Sequence, residues 1–181
     1  MKGPISTIED LIHELLESNA DECKKVVKRL AIPMNQFKQY EHWEEGTYTR
    51  NCIFRTDNFE LILLCWDKLQ ETAIHCHNEQ ECWVYVLKGE FEEERYQSTD
   101  NGLEIEQELD LMEEGVSYMN DNMGYHKLKN VVKDKAMSLH LYMNPIDSCS
   151  IYNEETEGFE SKDLEYDTFQ GELVESESVI R

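Results

Sequence analysis

A histidine pair separated by one residue, His75-Cys76-His77, is the first feature of the sequence that could do chemistry. On a β-strand, residues i and i+2 point to the same face, so two imidazoles at this spacing converge on one point and can bind one metal ion. Six histidines in 181 residues give about 0.2 such pairs by chance, so the pair alone also fits two surface histidines. A third imidazole, His126, would complete a metal site.

The surroundings of the pair resemble the first sequence motif of the cupins. That motif has two histidines, an acidic ligand and a glycine, and His75, His77 and Gly89 fit it, whereas Cys82 stands at the acidic position. Glu81 is one residue short of the acidic spacing. Because neighbouring residues on a strand face opposite ways, we expect Glu81 to lie outside the site.

The second cupin motif is similar to the segment around the third histidine. Its glycine, histidine and asparagine correspond to Gly115, His126 and Asn130. The resemblance therefore joins all three histidines in one site. Three neutral imidazoles leave a metal ion its full charge and open positions, which suits a ferrous ion that meets a thiolate and dioxygen. Zinc accepts the same three ligands with a water, so ligand type leaves zinc open.

A more specific resemblance, to the cysteine dioxygenases, covers most of residues 46–153. It is carried in order by residues 48–51, 64–66, 75–82, 124–126 and 138–142, followed by Asp147 and Cys149. The resemblance implies a cupin barrel with N-terminal helices and one Fe(II) per chain. It also implies a reaction that adds both oxygen atoms of O2 to the sulfur of L-cysteine, giving cysteine sulfinic acid.

Arg50 and Tyr48 match the substrate-binding residues of that family. They stand at i and i+2 and therefore share one face of a strand. A guanidinium holds a carboxylate in bidentate geometry, and a phenol adds a hydroxyl donor. Without the resemblance, a surface strand arginine such as Arg55 would be the better interpretation of Arg50, and its position in the motif reverses that preference. Relatives that oxidise 3-mercaptopropionate usually carry glutamine here, so Arg50 favours an amino-acid substrate.

Ser138, His140 and Tyr142 alternate along one predicted strand and share a face. This spacing allows a hydrogen-bonded chain that ends in a phenol near the metal, where the phenol can donate to substrate or oxygen. A half-polar barrel strand would show the same pattern. The resemblance also pairs Tyr142 with Cys82, two residues that form a thioether cross-link in some family members. We assign catalytic roles to these four residues.

The elements that position these residues are predicted to be helices first and strands afterwards. Ser6 and Glu9 form a capping-box pattern, a second helix begins near Asn19 or Asp21, and Pro33 ends it. Strands are predicted over 48–55, 59–66, 72–77, 82–88, 90–97, 103–110, 115–120, 124–131 and 136–143. Many strands without interleaved helices indicate a mainly β protein, a cupin-type antiparallel β-barrel (jelly roll) with N-terminal α-helices.

The chain is long enough for one domain with a real core. We expect a helical part over 1–45 packed on the barrel and a barrel core over 46–152. Residues 153–181 are rich in Glu and Asp and poor in apolar side chains. This composition predicts a surface-lying or partly disordered acidic segment.

Composition also excludes several classes of partner. A net charge of −22 argues against nucleic acid and anionic membranes, and no apolar run approaches the roughly 18 residues of a membrane span. The cysteines form no C-x-x-C pair and no apolar signal segment opens the chain, so we expect a cytoplasmic monomer. Two alternatives stay open: a dioxygenase of another small thiol such as 3-mercaptopropionate, and a non-catalytic metal-binding cupin.

Overall fold

Two short helices begin the chain and cover one face of the main sheet. The computed structural model describes residues 2–78, 80–100 and 102–175. Helix α1 spans Ile8–Glu17 and helix α2 spans Ala20–Val27, and short 3-10 turns follow at Met34–Gln36 and Lys38–Tyr40. Within the described ranges, no helix is long and apolar enough to cross a membrane.

The capping residues of the two helices were only partly predictable. Thr7, not Ser6, is the N-cap of α1, and its side chain accepts a hydrogen bond from the Asp10 N–H. The predicted capping box at Ser6 is therefore wrong by one position. Helix α2 does begin after Asn19, which forms a reciprocal capping box with Glu22. Each cap satisfies backbone N–H groups that have no partner inside the helix.

The strands form one large sheet and two smaller ones. The described strands are β1 (Tyr48–Arg55), β2 (Phe59–Trp66), β3 (Glu81–Lys88), β4 (Phe91–Thr99), β5 (Gly102–Leu111), β6 (Val116–Met119), β7 (Tyr125–Asn130), β8 (Ala136–Met143), β9 (Ser148–Asn153), β10 (Gly158–Asp163), β11 (Thr168–Phe169) and β12 (Glu172–Leu173). The main sheet has the order β12-β11-β1-β2-β8-β3-β6, the second has β5-β4-β7, and β9 pairs with β10. Among these pairs, only β1 with β11 is parallel.

The main sheet is covered on both faces, which explains why every residue of β2 is buried. Leu61 and Leu63 point to the face that packs against α1 and α2. Ile62 and Leu64 point to the other face and pack against Phe91 and residues of the second sheet. The interior between the two sheets is therefore enclosed by apolar strands, and the polar side chains described below lie within it.

The mainly β jelly roll with N-terminal α-helices is confirmed, but its strands do not close into one continuous barrel. The predicted strand over 72–77 is wrong. This segment instead makes isolated bridges, from Glu71 to Lys129 and from His75 to both His126 and Ile151. The segment bridges β7 at Glu71 and again at His75, and it bridges β9 at His75, so these contacts are isolated and form no continuous ladder.

The C-terminal segment is more ordered than its composition predicts. The described strand β10 does lie on the surface, but Thr168 is buried and β11 pairs with Asn51 and Cys52 of β1. Within this segment, Thr168 departs from the predicted surface position, whereas Glu165 and Phe169 are exposed. Tyr166 is half-buried, and its hydroxyl donates a hydrogen bond to the buried Glu60, so a few residues anchor a stretch that is acidic overall. Residues 176–181 lie outside the described residues.

Gly124 sets the path of the chain into β7. Its φ is +86°, and a Cβ at this position would lie against the carbonyl oxygen of Tyr96. Glycine alone meets both conditions without strain. The turn makes His126 the second residue of β7, directly opposite Arg95 of β4.

Candidate metal centre

Three imidazoles meet where the segment after β2 passes the start of β7. His75 and His126 are joined by two backbone hydrogen bonds, in which each N–H donates to the other residue's carbonyl oxygen at 2.9 Å. His77 follows two residues later, and the donor nitrogens of the three histidines all lie within 4.8 Å of one another. The predicted convergence is present, although isolated bridges rather than a regular strand produce it.

This donor set fits a metal ion in both geometry and chemistry. The Nε2 atoms of His77 and His126 are 3.0 Å apart, which matches two nitrogens that lie at right angles about 2.1 Å from one ion. The Nδ1 atom of His75 lies 2.9 Å from the carbonyl oxygen of Ala73. Since Nδ1 must donate there, Nε2 of His75 keeps its lone pair. Three protein ligands leave coordination positions open for exogenous ligands.

Two of the imidazoles, those of His75 and His77, are held in the neutral form that binds metals. Burial, followed by the charge of His126, lowers the pKa of His75 to about 3. Burial also lowers the pKa of His77 well below its ordinary value, and this side chain is 1% exposed. A metal ion therefore does not have to displace protons from these two histidines at neutral pH.

Cys82 and Tyr142 lie directly opposite each other on the neighbouring strands β3 and β8. Both side chains are buried and belong to the same core cluster. The Tyr142 ring also lies 5.6 Å from the His77 ring, measured between centroids. Burial, with a further contribution from Cys82, raises the pKa of Tyr142 well above its ordinary value. The phenol therefore stays protonated at neutral pH and can donate a hydrogen bond.

Ser138 and His140 continue the polar face of β8. The Ser138 hydroxyl accepts a hydrogen bond from Nε1 of Trp66 at 2.9 Å and lies 2.9 Å from Nε2 of His140. The predicted chain is therefore present as far as His140. The next link differs from the prediction, because the rings of His140 and Tyr142 stack at 6.2 Å and no described hydrogen bond joins them. Burial lowers the pKa of His140 well below its ordinary value.

Arg50 and Tyr48 border the same cavity as the histidines. The Nη2 atom of Arg50 is buried and has no hydrogen-bond partner among the described residues. The Tyr48 ring packs on Trp66 with 4.7 Å between centroids, and burial raises the pKa of its hydroxyl. These two side chains present donors to the cavity.

The C-terminal segment holds Arg50 in place, a role that sequence reasoning missed. The Asp167 carboxylate accepts a hydrogen bond from the Arg50 backbone N–H at 2.7 Å, and the Glu165 carbonyl oxygen accepts one from Arg50 Nε at 3.2 Å. The ring of Tyr166 lies 6.0 Å from the Arg50 guanidinium carbon. These contacts cross more than a hundred residues of sequence, so local spacing contained no signal for them.

A buried acidic group behind His126 was also missed. Glu93 lies 2.8 Å from Nδ1 of His126, and it is bonded to Arg95 and Ser117 as well. Burial acts to raise the pKa of Glu93, but hydrogen bonds from His126 and Ser117 and the charge of Arg95 outweigh it and lower the pKa to about 2. The alternation of Phe91, Glu93 and Arg95 along β4 was the signal that could have placed them on the inner face.

Three further residues from the sequence prediction take their places outside the donor cluster. Glu81 accepts a hydrogen bond from the Tyr118 hydroxyl at 3.0 Å and is not among the clustered ligand atoms of the described residues. Asp147 pairs with Arg55 at 2.8 Å. Cys149 is buried and lines the cavity.

One cavity therefore connects the predicted groups. Its lining includes Tyr48, Arg50, His75, His126, His140 and Tyr142, together with apolar side chains from both sheets. A small anionic molecule could contact the guanidinium with one end and approach the imidazole cluster with the other. Cys82 and Ser138 are not part of this lining; Cys82 lies opposite Tyr142 on the neighbouring strand, and Ser138 contacts His140.

Comparison with known proteins gives consistent matches to one family. The sequence model of the family described as cysteine dioxygenase type I matches residues 3–155. Cysteine dioxygenase type 1 of Rattus norvegicus is 31% identical over 161 residues, which cover 83% of this chain and 80% of that protein. The Homo sapiens protein of the same name is 29% identical with the same coverage.

Comparison with solved structures gives a weaker similarity than the sequence comparison does. The crystal structure of TT1209 from Thermus thermophilus superposes with a TM-score of 0.49 at 18% identity, covering 60% of this chain and 93% of that chain. The family assignment therefore rests on the sequence matches, which span most of the chain and confirm the predicted enzyme class. The chain belongs to the cysteine dioxygenase type I family.

Proposed function

We propose that this protein is a non-haem Fe(II) dioxygenase that oxidises the thiol of L-cysteine to cysteine sulfinic acid. Both atoms of O2 are added to the sulfur, and the sulfur supplies all the electrons that reduce O2, so no further reductant is needed. The observation that carries the proposal is that one cavity borders both the three-histidine cluster and a guanidinium with an unpartnered nitrogen.

His75, His77 and His126 are proposed to hold one Fe(II) per chain. When bound, the ion supplies open coordination positions and one-electron redox chemistry. Zinc would fit the same nitrogens but does not change its redox state, and O2 chemistry at a thiol needs a redox-active centre. The buried imidazoles contribute neutral donors, so the site keeps a positive charge that attracts a thiolate.

Arg50 and Tyr48 are proposed to bind the substrate's carboxylate. The unpartnered Nη2 of Arg50 is a donor that a carboxylate would satisfy, and a charged hydrogen bond in a buried site is stronger than one in water. With the carboxylate held at Arg50, the short cysteine side chain extends from that end of the cavity toward the imidazoles. The cavity thereby selects a small thiol that carries an acidic group.

Tyr142, His140, Ser138 and Cys82 are proposed to act on the reacting end. Tyr142 keeps its proton and can donate to the reacting groups, while Ser138 and Trp66 orient His140 beside it. Cys82 and Tyr142 lie opposite each other on neighbouring strands and share one core cluster, which supports a thioether bond between them. That bond would form by oxidative loss of two hydrogen atoms, with O2 as oxidant, so the intact mass of iron-treated protein reports it directly.

Oxygen uptake by iron-loaded protein tests the function. We expect uptake with L-cysteine and a matching amount of cysteine sulfinic acid, because both oxygen atoms enter the product. A panel with 3-mercaptopropionate and cysteamine, which lack the amine and the carboxylate respectively, separates the thiol substrates. Faster uptake with 3-mercaptopropionate would favour the alternative substrate. No uptake with any thiol at full iron loading would instead favour a non-catalytic cupin.

We also propose that the protein is a cytoplasmic monomer with no nucleic-acid or membrane partner. The charge of −22 supports this, since like charges oppose association with copies of the chain and with phosphate-rich surfaces. Light scattering at physiological salt tests the oligomeric state, and a dimer mass would contradict the proposal. Cell fractionation tests the location.

A further inference from the structure

A buried polar network lies behind the candidate metal ligand His126, on strands β4, β6 and β7. We propose that Glu93, held in place by Arg95 and Ser117, is a positioning residue for His126. This inference rests on the proposed metal site and goes beyond it, because Glu93 is neither a cavity-lining residue nor one of the three clustered donors.

The contact between Glu93 and His126 determines which ring nitrogen can bind a metal. Oε1 of Glu93 lies 2.8 Å from Nδ1 of His126, and both side chains are buried, with 1% and 2% of their surface exposed. A carboxylate that receives donors from other groups can only accept here, so Nδ1 carries the hydrogen. The lone pair is then on Nε2, the atom that lies 3.0 Å from Nε2 of His77.

Two neighbouring side chains hold the Glu93 carboxylate in turn. Arg95 donates to both carboxylate oxygens, at 3.4 Å from Nε and 3.3 Å from Nη2. Its Nη2 also donates to Ser117 Oγ and to the Tyr118 carbonyl oxygen, each at 2.9 Å. The Ser117 hydroxyl donates to the second carboxylate oxygen. Glu93 therefore has little freedom to rotate, and neither has the imidazole bonded to it.

The charges in the network also balance. Arg95 is 9% exposed and lies against Glu93, so the pair adds no net charge behind the imidazole. A buried carboxylate without a cationic partner would lower the free energy of unfolding. It would also attract the hydrogen on Nδ1 of His126 more strongly. Hydrogen bonds from metal-binding histidines to a second group generally fix ring orientation and tautomer. The arrangement of Glu93 has the geometry for that role.

A matched pair of variants distinguishes positioning from a purely structural ion pair. Glu93→Gln removes the charge of the carboxylate that contacts His126. Glu60→Gln removes the charge of another buried carboxylate, which is bonded to Arg55, Tyr166 and the Ile146 N–H. Among the described residues, no hydrogen bond joins Glu60 to a histidine. Co(II) affinity, measured by competition with a chromophoric chelator, is the readout. We expect Glu93→Gln to bind Co(II) about 10- to 100-fold more weakly, and Glu60→Gln to bind it as the wild type does.

The tautomer of His126 gives a second readout that a structural role would not change. In Zn(II)-loaded wild type, nitrogen NMR should show the hydrogen on Nδ1 of His126. In Glu93→Gln, that signal should weaken or shift while the Nδ1 signal of His75, which contacts Ala73, stays unchanged. If Glu93→Gln does not fold, Ser117→Ala is used instead. It removes one donor to Glu93 and should lower Co(II) affinity in the same direction.

Several outcomes would overturn the inference. Wild-type Co(II) affinity in the folded Glu93 variant, or in Ser117→Ala where only that variant folds, would show that the network does not position His126. Equal losses in Glu93→Gln and Glu60→Gln would assign the effect to general loosening of the fold. Wild-type protein that binds no Co(II) would overturn the metal site itself and the role of Glu93 with it.

Discussion

At the scale of single residues, the contacts that an arginine makes within the protein decide whether its guanidinium is available to a ligand, as Arg50 shows. Its Nε is bonded to the Glu165 carbonyl oxygen, whereas its Nη2 is buried and has no partner among the described residues. A buried polar atom without a partner costs about 1–3 kcal/mol, and a bound carboxylate would remove this cost. Arg55 on the same strand is engaged by Asp147 and Tyr166. The two arginines thus differ in availability and not in chemistry.

Replacing Arg50 tests its proposed role. We expect Arg50→Gln to raise the KM for L-cysteine by about 10- to 150-fold, because a hydrogen bond to a charged group contributes about 1.5–3 kcal/mol. Iron content should stay at the wild-type level, since Arg50 is not a donor in the histidine cluster. Steady-state oxygen uptake and metal analysis of the same samples measure both quantities.

Arg50→Lys is the matched control, because it keeps the charge and loses only the planar bidentate geometry. Its KM should lie between those of wild type and Arg50→Gln. A parallel loss of iron and of cysteine binding in Arg50→Gln would contradict the assignment, since it would place Arg50 in the support of the metal site.

At the scale of elements, strand β8 lies at the centre of the site. It pairs with β2 on one side and with β3 on the other, and its polar face carries Ser138, His140 and Tyr142 into the interior. The register places Tyr142 opposite Cys82. A slip of one residue would turn every one of these side chains to the opposite face. The apolar residues that alternate with them, such as Leu139 and Leu141, are buried against the helices and oppose such a slip.

The turn at Gly124 allows a test of how the elements position His126. We expect Gly124→Ala to lower the free energy of unfolding by more than about 1–2 kcal/mol, the cost of a left-handed backbone for a non-glycine residue, because its Cβ would also meet the Tyr96 carbonyl oxygen. Metal affinity should fall as well, since β7 would have to shift. Chemical denaturation and Co(II) titration measure the two effects.

Gly46→Ala separates the two causes, because Gly46 also has a positive φ, +76°, but a Cβ there would meet nothing within 4 Å. This control should show only the backbone cost and retain wild-type metal affinity. Equal destabilisation by the two substitutions, with metal affinity intact in both, would mean that β7 tolerates the added methyl group and that Gly124 does not position His126.

At the scale of the whole molecule, the net charge of −22 has energetic consequences. Dense negative charge destabilises the compact state through self-repulsion. Some of the described cationic side chains pair locally, as in Arg29 with Glu14 and Arg55 with Asp147. Because 39 Asp and Glu residues outnumber 17 Lys and Arg residues, much of the acidic surface is not neutralised. The folded protein retains this negative surface charge, whereas the guanidinium of Arg50 provides a positive charge in the cavity.

Salt dependence measures this repulsion. We expect the unfolding temperature at pH 7 to rise when the NaCl concentration increases from about 10 mM to about 150 mM. The Debye length then shortens to about 8 Å, so repulsion between the acidic side chains weakens. A gain of about 1 kcal/mol corresponds to about 2–4 °C for a chain of this size. At pH 5, nearer the sequence pI of about 4.5, the shift should shrink. A fall in unfolding temperature with salt at pH 7 would show that ion pairs outweigh repulsion.

The sequence by itself determined the residue types and the local periodicities. These were sufficient for the helical start, most of the strands from β1 to β8, the histidine cluster, and the polar faces that carry Arg50 and Tyr142. They were sufficient because alternation along a strand depends only on backbone geometry, and because apolar and polar side chains separate wherever a sheet has a buried face.

Only the tertiary structure decided which distant residues complete the site. Glu93 reaches His126 across 33 residues and Asp167 reaches Arg50 across 117, and neither separation leaves a local pattern. The histidines converge through isolated bridges in place of the predicted strand, and Tyr166 anchors a segment that its acidic composition marks as exposed. Composition averages over a segment, whereas packing depends on the few side chains that find a partner in three dimensions.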